Sequence, residues 1–226
     1  MPTLREWQLR LDVDDVLRAQ GGDAAEIRSR RSLFVEIAQR ALAEGTPLLQ
    51  PVVHYRQLAV ESLSHQRLLL SNGDRLSGPL VTQHIGPATE VVAAACSIGH
   101  ALEERAAQVM TNDQLYGLAL DGVGTAAVEM LATAACHHFE ERAELVGQRV
   151  TIPISPGLEG WPLFKGQKQI FSLMNTEEIN IRLLQSGVMS PRKSLSFVIG
   201  LGSDVSTDGV PCDYCNLRDR CRFRPA

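Results

Sequence analysis

The stretch Arg149-Val-Thr-Ile-Pro-Ile-Ser-Pro-Gly-Leu-Glu-Gly-Trp-Pro162 joins an extended segment to a stiff loop. Residues 149–154 predict a strand. Residues 155–162 hold two prolines and two glycines, which favour a fixed turn over a flexible connection. Pro162 suits the first turn of a helix, and apolar residues continue from there to Leu173. The stretch therefore predicts a strand, a rigid loop and a helix in direct succession.

Similar patterns extend to both sides of this unit. The spacing of apolar residues predicts one helix over 23–44, another over 97–109, and a long helix or a broken helix pair over 111–145. Asn72-Gly73 favours the turn of a hairpin. Apolar runs predict strands over 50–60, 67–70, 91–95, 179–184 and 195–201.

Three motifs in order carry a family resemblance: Ser155-Pro156-Gly157-x-x-x-Trp161-Pro162, Gln167-Lys168-x-Ile170-Phe171 and Met189-x-Pro191-x-x-Ser194-x-Ser196. They resemble the activation (reactivation) domain of cobalamin-dependent methionine synthase, and more closely its short stand-alone relatives. The resemblance covers about residues 80–202. It implies a single α+β domain, over residues 1–210, with a curved, mainly antiparallel sheet and long helices.

The resemblance also implies a function. The activation domain binds S-adenosylmethionine and sits over the corrinoid of a cobalamin protein, which receives a methyl group as cobalt(II) is reduced. The expected partner is a corrinoid-binding protein or methyltransferase that contributes the cobalamin. The chain would act either as the catalyst of this reductive methylation or as a docking surface. The alternative is an iron–sulfur or zinc-binding electron-transfer or assembly protein on a decayed activation-domain fold.

Six residues are candidates for the cofactor groove. Glu129 is the only carboxylate between residues 123 and 135, so it is suited to the cofactor's sulfonium or amino group; the alternative is a solvated helix face. Ser194 and Ser196 alternate with apolar residues, so their hydroxyls share one strand face, either beside the groove or in water. The loop contributes the remaining candidates, Ser155, Pro156 and Gly157.

Two positions depart from the family pattern. Pro153 stands where the family carries an arginine, and Leu158 stands where it carries a tyrosine. In the family those side chains help to hold the cofactor, through charge-assisted contact with its carboxylate. Arg149 and Arg182 are the candidates to replace the missing cation.

The C-terminal tail, residues 211–226, contains Cys212, Cys215 and Cys221 in a C-x2-C-x5-C pattern. Two residues between thiolates let one short loop present both sulfurs to a single metal centre. The pattern predicts an iron–sulfur cluster, of the [4Fe-4S] type, with zinc as the alternative; a disulfide or idle thiols are the other interpretations. Three ligands leave one position open, for which Cys96 and Cys136 are candidates.

Composition restricts the partners. The net charge of −4 gives no reason to expect nucleic acid, and the 44% hydrophobic content is that of an ordinary globular protein. No uninterrupted apolar run approaches the roughly 20 residues that cross a bilayer, so no membrane is expected. The N-terminal residues lack the apolar stretch of a signal peptide, and we expect a cytoplasmic protein.

Overall fold

The computed structural model describes residues 1–221. The α-helices are α1 (Val13–Ala19), α2 (Ala24–Arg30), α3 (Ser32–Gly45), α4 (Pro79–Ile85), α5 (Ala101–Met110), α6 (Gln114–Glu144) and α7 (Leu163–Leu173). The strands are β1 (Thr3–Leu4), β2 (Val52–Ser64), β3 (Arg67–Leu70), β4 (Arg75–Ser77), β5 (Glu90–Ser97), β6 (Arg149–Val150), β7 (Arg182–Leu183), β8 (Met189–Ser190) and β9 (Ser194–Gly202).

One antiparallel sheet organises the domain. Its strands follow the order β4-β3-β2-β5-β9-β6, β1 adds to β2, and β7 with β8 forms a separate ribbon. The central strand β5 is buried along almost its whole length because both faces of the sheet are covered. The predicted fold class is confirmed: a single α+β domain with a curled antiparallel sheet and long helices.

The first face of the sheet packs against helices α1, α3, α5 and α6. The 31-residue helix α6 is continuous, so the glycines do not break it. Two of them permit close packing: a Cβ at Gly117 would lie 2.8 Å from the Met110 Cα, and one at Gly122 would lie 3.0 Å from the Gln20 Cγ. Helix α6 is long and apolar enough to cross a membrane by composition, but its burial among these neighbours is that of a core helix.

The second face packs against α4, α7 and residues 151–161. Several predicted boundaries differ here and elsewhere. The predicted helix over 23–44 is two helices, α2 and α3, which meet at the non-helical residue Arg31. The predicted strand over 149–154 pairs as a strand only at β6, and a single bridge joins Ile154 to Val198. Helix α1 was not predicted, although Asp12 and Asp15 form a capping box at its start.

Candidate functional site

A cleft of about 420 Å³ separates the outer side of α6 from the sheet edge. We call it the α6 groove. Its helix wall includes Thr133, Cys136 and Glu140. Its floor and far wall come from β9 and residues 150–155, and two residues of the C-terminal segment, Thr207 and Pro211, complete it. The volume falls within the range of about 300–1,000 Å³ that is usual for small-molecule sites.

Two residues of the helix wall, Thr133 and His137, belong to a polar column that repeats every four residues and also includes Asp121, Thr125 and Glu129. Glu129 lies one turn before the groove residue Thr133, whose hydroxyl donates to the Glu129 carbonyl at 3.1 Å. Partial burial raises the pKa of the Glu129 carboxyl, and the nearby Lys193 charge opposes that shift. Glu129 is therefore a partly desolvated but still exposed carboxylate, one helical turn from the groove lining.

Lys193 fixes the segment before β9 to the same column. Its ammonium donates to the Asp121 carboxylate at 2.8 Å and to the Thr125 hydroxyl at 2.7 Å. The lysine stem lies over Gly124, where an added Cβ would come within 3.1 Å of it. Sequence reasoning missed Lys193. The signal in the sequence was Gly124 in the predicted helix, together with the basic pair Arg192-Lys193 before β9.

The loop 155–162 has one fixed shape. Gly157 adopts a φ of 105°, which favours glycine, and its N–H donates to the Trp161 carbonyl at 2.8 Å. Trp161 is fully buried, and its indole N–H donates to the Gln169 side chain at 3.0 Å. Ser155 lines the groove, whereas Pro156 is buried against the Gly166 backbone. Trp161 is thus an anchor of the loop rather than a surface contact.

Ser194 and Ser196 share a strand face, as predicted, but it is the face that looks away from the groove. The Ser194 hydroxyl donates to the Ser97 hydroxyl at 3.0 Å. The Ser196 hydroxyl donates to the side-chain oxygen of Gln167 on α7 at 2.9 Å. The alternate residues of β9, including Leu195 and Phe197, form the groove floor instead. The structure therefore places Ser155 in the groove lining and Glu129 one helical turn from it, and it leaves Ser194 and Ser196 behind the sheet.

The two positions that depart from the family pattern also lie on different sides of the sheet. Pro153 lines the groove, whereas Leu158 packs against the core on the second face of the sheet. Arg149 donates a hydrogen bond at 3.2 Å to the hydroxyl of Thr207, a groove residue, whereas Arg182 lies on the exposed β7–β8 ribbon. Of the two candidate replacement cations, Arg149 is the one at the groove rim.

The cysteine tail is docked on the domain through Tyr214. Its ring packs edge-on against His84, with 4.6 Å between the centroids, and its carbonyl accepts from the Glu159 N–H at 2.8 Å. Residues 222–226 of the predicted tail lie outside the described residues.

The described residues do not assemble the predicted metal centre. Within residues 1–221, no three His, Cys, Asp or Glu side chains converge as metal ligands, although Cys212, Cys215 and Cys221 are free thiols. Burial raises the pKa of both Cys96 and Cys136, the candidate fourth ligands, to about 12. As the side chains stand, the described residues therefore form no metal site, and the cluster or zinc ion stays a prediction from the cysteine spacing.

Comparison with solved structures agrees with the fold. The chain is similar to the crystal structure of the MetH reactivation domain bound to AdoHcy, with a TM-score of 0.59 and 13% sequence identity over 95% of this chain and 83% of that one. At this identity the likeness concerns the fold. No protein-family model matches the sequence. No curated protein matches it either.

Proposed function

We propose that this protein is an accessory protein of a corrinoid methyltransferase system and binds S-adenosylmethionine in the α6 groove. The observation that carries the proposal is a groove of ligand size with the Glu129 carboxylate one helical turn from it, on the fold of a reactivation domain that was crystallised with AdoHcy. The expected reaction is reductive methylation of a protein-bound corrinoid: an external one-electron donor reduces cobalt(II), the reduced cobalt takes the methyl group of S-adenosylmethionine, and AdoHcy leaves. The cobalamin belongs to the partner, and the partner is a corrinoid-binding protein or methyltransferase.

Each end of the cofactor has a candidate contact. The cofactor's sulfonium and its amino group are both cationic, so they suit the carboxylates of Glu129 and Glu140. The guanidinium of Arg149, at the opposite rim, suits the cofactor's carboxylate. Ser155 offers a hydroxyl from the loop, whereas Pro156 and Gly157 set the loop's shape. Ser194 and Ser196 would act indirectly, by holding β9 against Ser97 and α7.

The partner would dock beside the loop 155–162. Phe164 and Leu163, at the start of α7, are about half exposed, as are Leu184 and Val188 near the β7–β8 ribbon. Gly187 packs against the Phe164 ring, so these residues form one apolar patch. An exposed apolar cluster of this kind is typical of a protein-binding surface. The patch adjoins the loop through Leu163, which lies next to Gly157.

Calorimetric titration of S-adenosylmethionine and AdoHcy, under anaerobic conditions, tests the cofactor. Arg149→Gln should weaken binding about tenfold or more, the effect of one lost hydrogen bond to a charged group. Arg182→Gln makes the same change on the ribbon and serves as the matched control. Glu129→Gln should also weaken binding. Glu104→Gln makes the same change at an exposed position on α5 and is the matched control for Glu129→Gln. No binding by the unmodified protein, alone or with a corrinoid partner, would refute the cofactor assignment.

Anaerobic pull-down tests the partner independently. Corrinoid absorption should co-elute with the protein, and Phe164→Asp should abolish it. Leu145→Asp places the same charge on an 86% exposed leucine at the end of α6, away from the patch, and should have no effect. Equal loss in both variants would refute the docking surface.

We also propose that Cys212, Cys215 and Cys221 bind an iron–sulfur cluster or zinc once metal is supplied; their spacing alone supports this. Anaerobic metal analysis of single serine variants is the test, because a hydroxyl is a poor substitute for a soft thiolate. Absorption near 400 nm would identify iron–sulfur, and colourless protein with stoichiometric zinc would identify zinc. Metal without corrinoid or S-adenosylmethionine binding would favour the alternative, an electron-transfer or assembly protein.

A further inference from the structure

A second, larger cleft lies on the other side of the loop 155–162. Its volume is about 1320 Å³, and we call it the basic cleft. One wall is the ends of strands β2, β3 and β4. The other wall is Gly160, Pro162 and the first turn of α7. Nothing in the proposed corrinoid function uses this cleft.

Strand register explains why this wall is polar. Arg67 pairs with Ser77, and Leu69 pairs with Arg75, so directly opposed residues share one face. Ser62 and Ser64 of β2 join that face through their pairing with Leu69 and Arg67. The intervening leucines, Leu68, Leu70 and Leu76, point to the other face and are fully buried in the core.

The charge of the basic cleft has one sign. Arg67, Arg75 and Lys165 line it, together with His65, and its lining, all within the described residues, contains no carboxylate. None of the three cations forms an ion pair with any residue among positions 1–221. Lys165 lies in the first turn of the 11-residue helix α7, where the helix dipole adds positive potential.

The floor of the basic cleft is pre-organised by contacts within the protein. A Cβ at Gly78 would lie 2.8 Å from the Gly160 carbonyl oxygen, so the hairpin and the loop are in direct contact there. Gln169 bridges the two sides: its side-chain N–H donates to the Ser77 hydroxyl at 2.7 Å, and its oxygen accepts from Trp161. A rigid floor reduces the entropy lost on binding.

We propose that the basic cleft binds a small molecule that carries a polyphosphate group, of the size of a nucleoside di- or triphosphate. Arg67, Arg75 and Lys165 are three unpaired cations from three separate elements. They match a ligand with several negative charges better than they match a ligand with a single carboxylate. Arginine presents a planar fork that suits phosphate oxygens, and the serine hydroxyls add neutral donors. The volume exceeds what an isolated phosphate ion would fill, which favours an organic phosphate.

Calorimetric titration with tripolyphosphate, ATP and citrate tests this. ATP and tripolyphosphate should bind, and the Arg67→Gln, Arg75→Gln double variant should weaken both at least about a hundredfold, since each lost charge-assisted hydrogen bond costs about tenfold or more. Arg10→Gln removes an exposed arginine near the helical layer and should leave binding unchanged. Thermal unfolding of each variant checks folding, which these exposed positions should not disturb.

The outcomes separate the explanations. Binding of ATP tighter than tripolyphosphate assigns a nucleotide, and tighter tripolyphosphate binding assigns the phosphate chain alone as the recognised group. Citrate binding as tight as either would overturn the phosphate class. No binding of any probe, or an equal loss in Arg10→Gln and the double variant, would overturn the site itself.

Discussion

Replacement of Trp161 by alanine should destabilise the domain by about 3–5 kcal/mol, the range for buried tryptophan and phenylalanine truncations. Trp161 is fully buried. A side chain of its kind buries about 150–250 Å², which at about 25 cal/mol per Å² corresponds to roughly 4–6 kcal/mol as an upper bound. The lost indole hydrogen bond adds little, because the Gln169 oxygen also accepts from the Ser77 N–H.

Urea unfolding followed by far-UV circular dichroism measures this change, since the variant loses a fluorescent reporter. Trp161→Phe keeps most of the apolar area and should cost less than half as much. Trp7→Ala is the matched control, because Trp7 is only partly buried and its indole donates to the Leu4 carbonyl. A loss below about 2 kcal/mol for Trp161→Ala, or one no larger than that of Trp7→Ala, would refute the anchor role.

Three further predictions concern stability. Burial lowers the pKa of His54, so the unfolded chain binds more protons below about pH 6.5. The free energy of unfolding should therefore fall as pH drops from 7 toward 5, and His54→Gln should flatten that dependence; an unchanged slope contradicts the idea. Lys193→Met should cost roughly 1 kcal/mol by breaking the partly shielded pair with Asp121, measured by urea titration at two salt concentrations. Deletion of residues 211–226 should leave a folded domain with a lower melting temperature because it removes Tyr214; Tyr214→Ala alone should reproduce most of the loss, and no shift in either would contradict the docking of the tail.

The sequence predicted the long elements of the fold better than the short ones. The apolar runs of β5 and β9 are long enough to identify as strands, and the apolar spacing over 111–145 predicted either a long helix or a broken helix pair, of which the structure has the long helix α6. Strands β1 and β8 have two residues each, which is too short for any period to appear, and of the strand predicted over 179–184 only Arg182–Leu183 pairs, as β7. Their pairing depends on tertiary contacts that no local pattern reports.

The candidate site was predictable only in part, because both faces of the sheet are covered. Alternation placed the hydroxyls of Ser194 and Ser196 on one face of β9, but both faces of this sheet are covered, so alternation does not say which face borders the groove. Glu129 was identified because a lone carboxylate contrasts with its apolar neighbours. Lys193 was missed because it reaches α6 across 72 residues of sequence separation.

The loop 155–162 connects both proposed sites. Ser155 lines the α6 groove, and Gly160 and Pro162, a few residues later, line the basic cleft. Trp161 holds this segment in one shape, and Gln169 ties the Trp161 indole to Ser77 on the far wall of the basic cleft. Two ligand sites that share one rigid wall depend on the same anchor, so a change at Trp161 should alter both together. Arg149 belongs to the α6 groove and Arg75 to the basic cleft, and neither side chain contacts Trp161 or the other cleft. A substitution at Arg149 should therefore alter only the α6 groove, and one at Arg75 only the basic cleft.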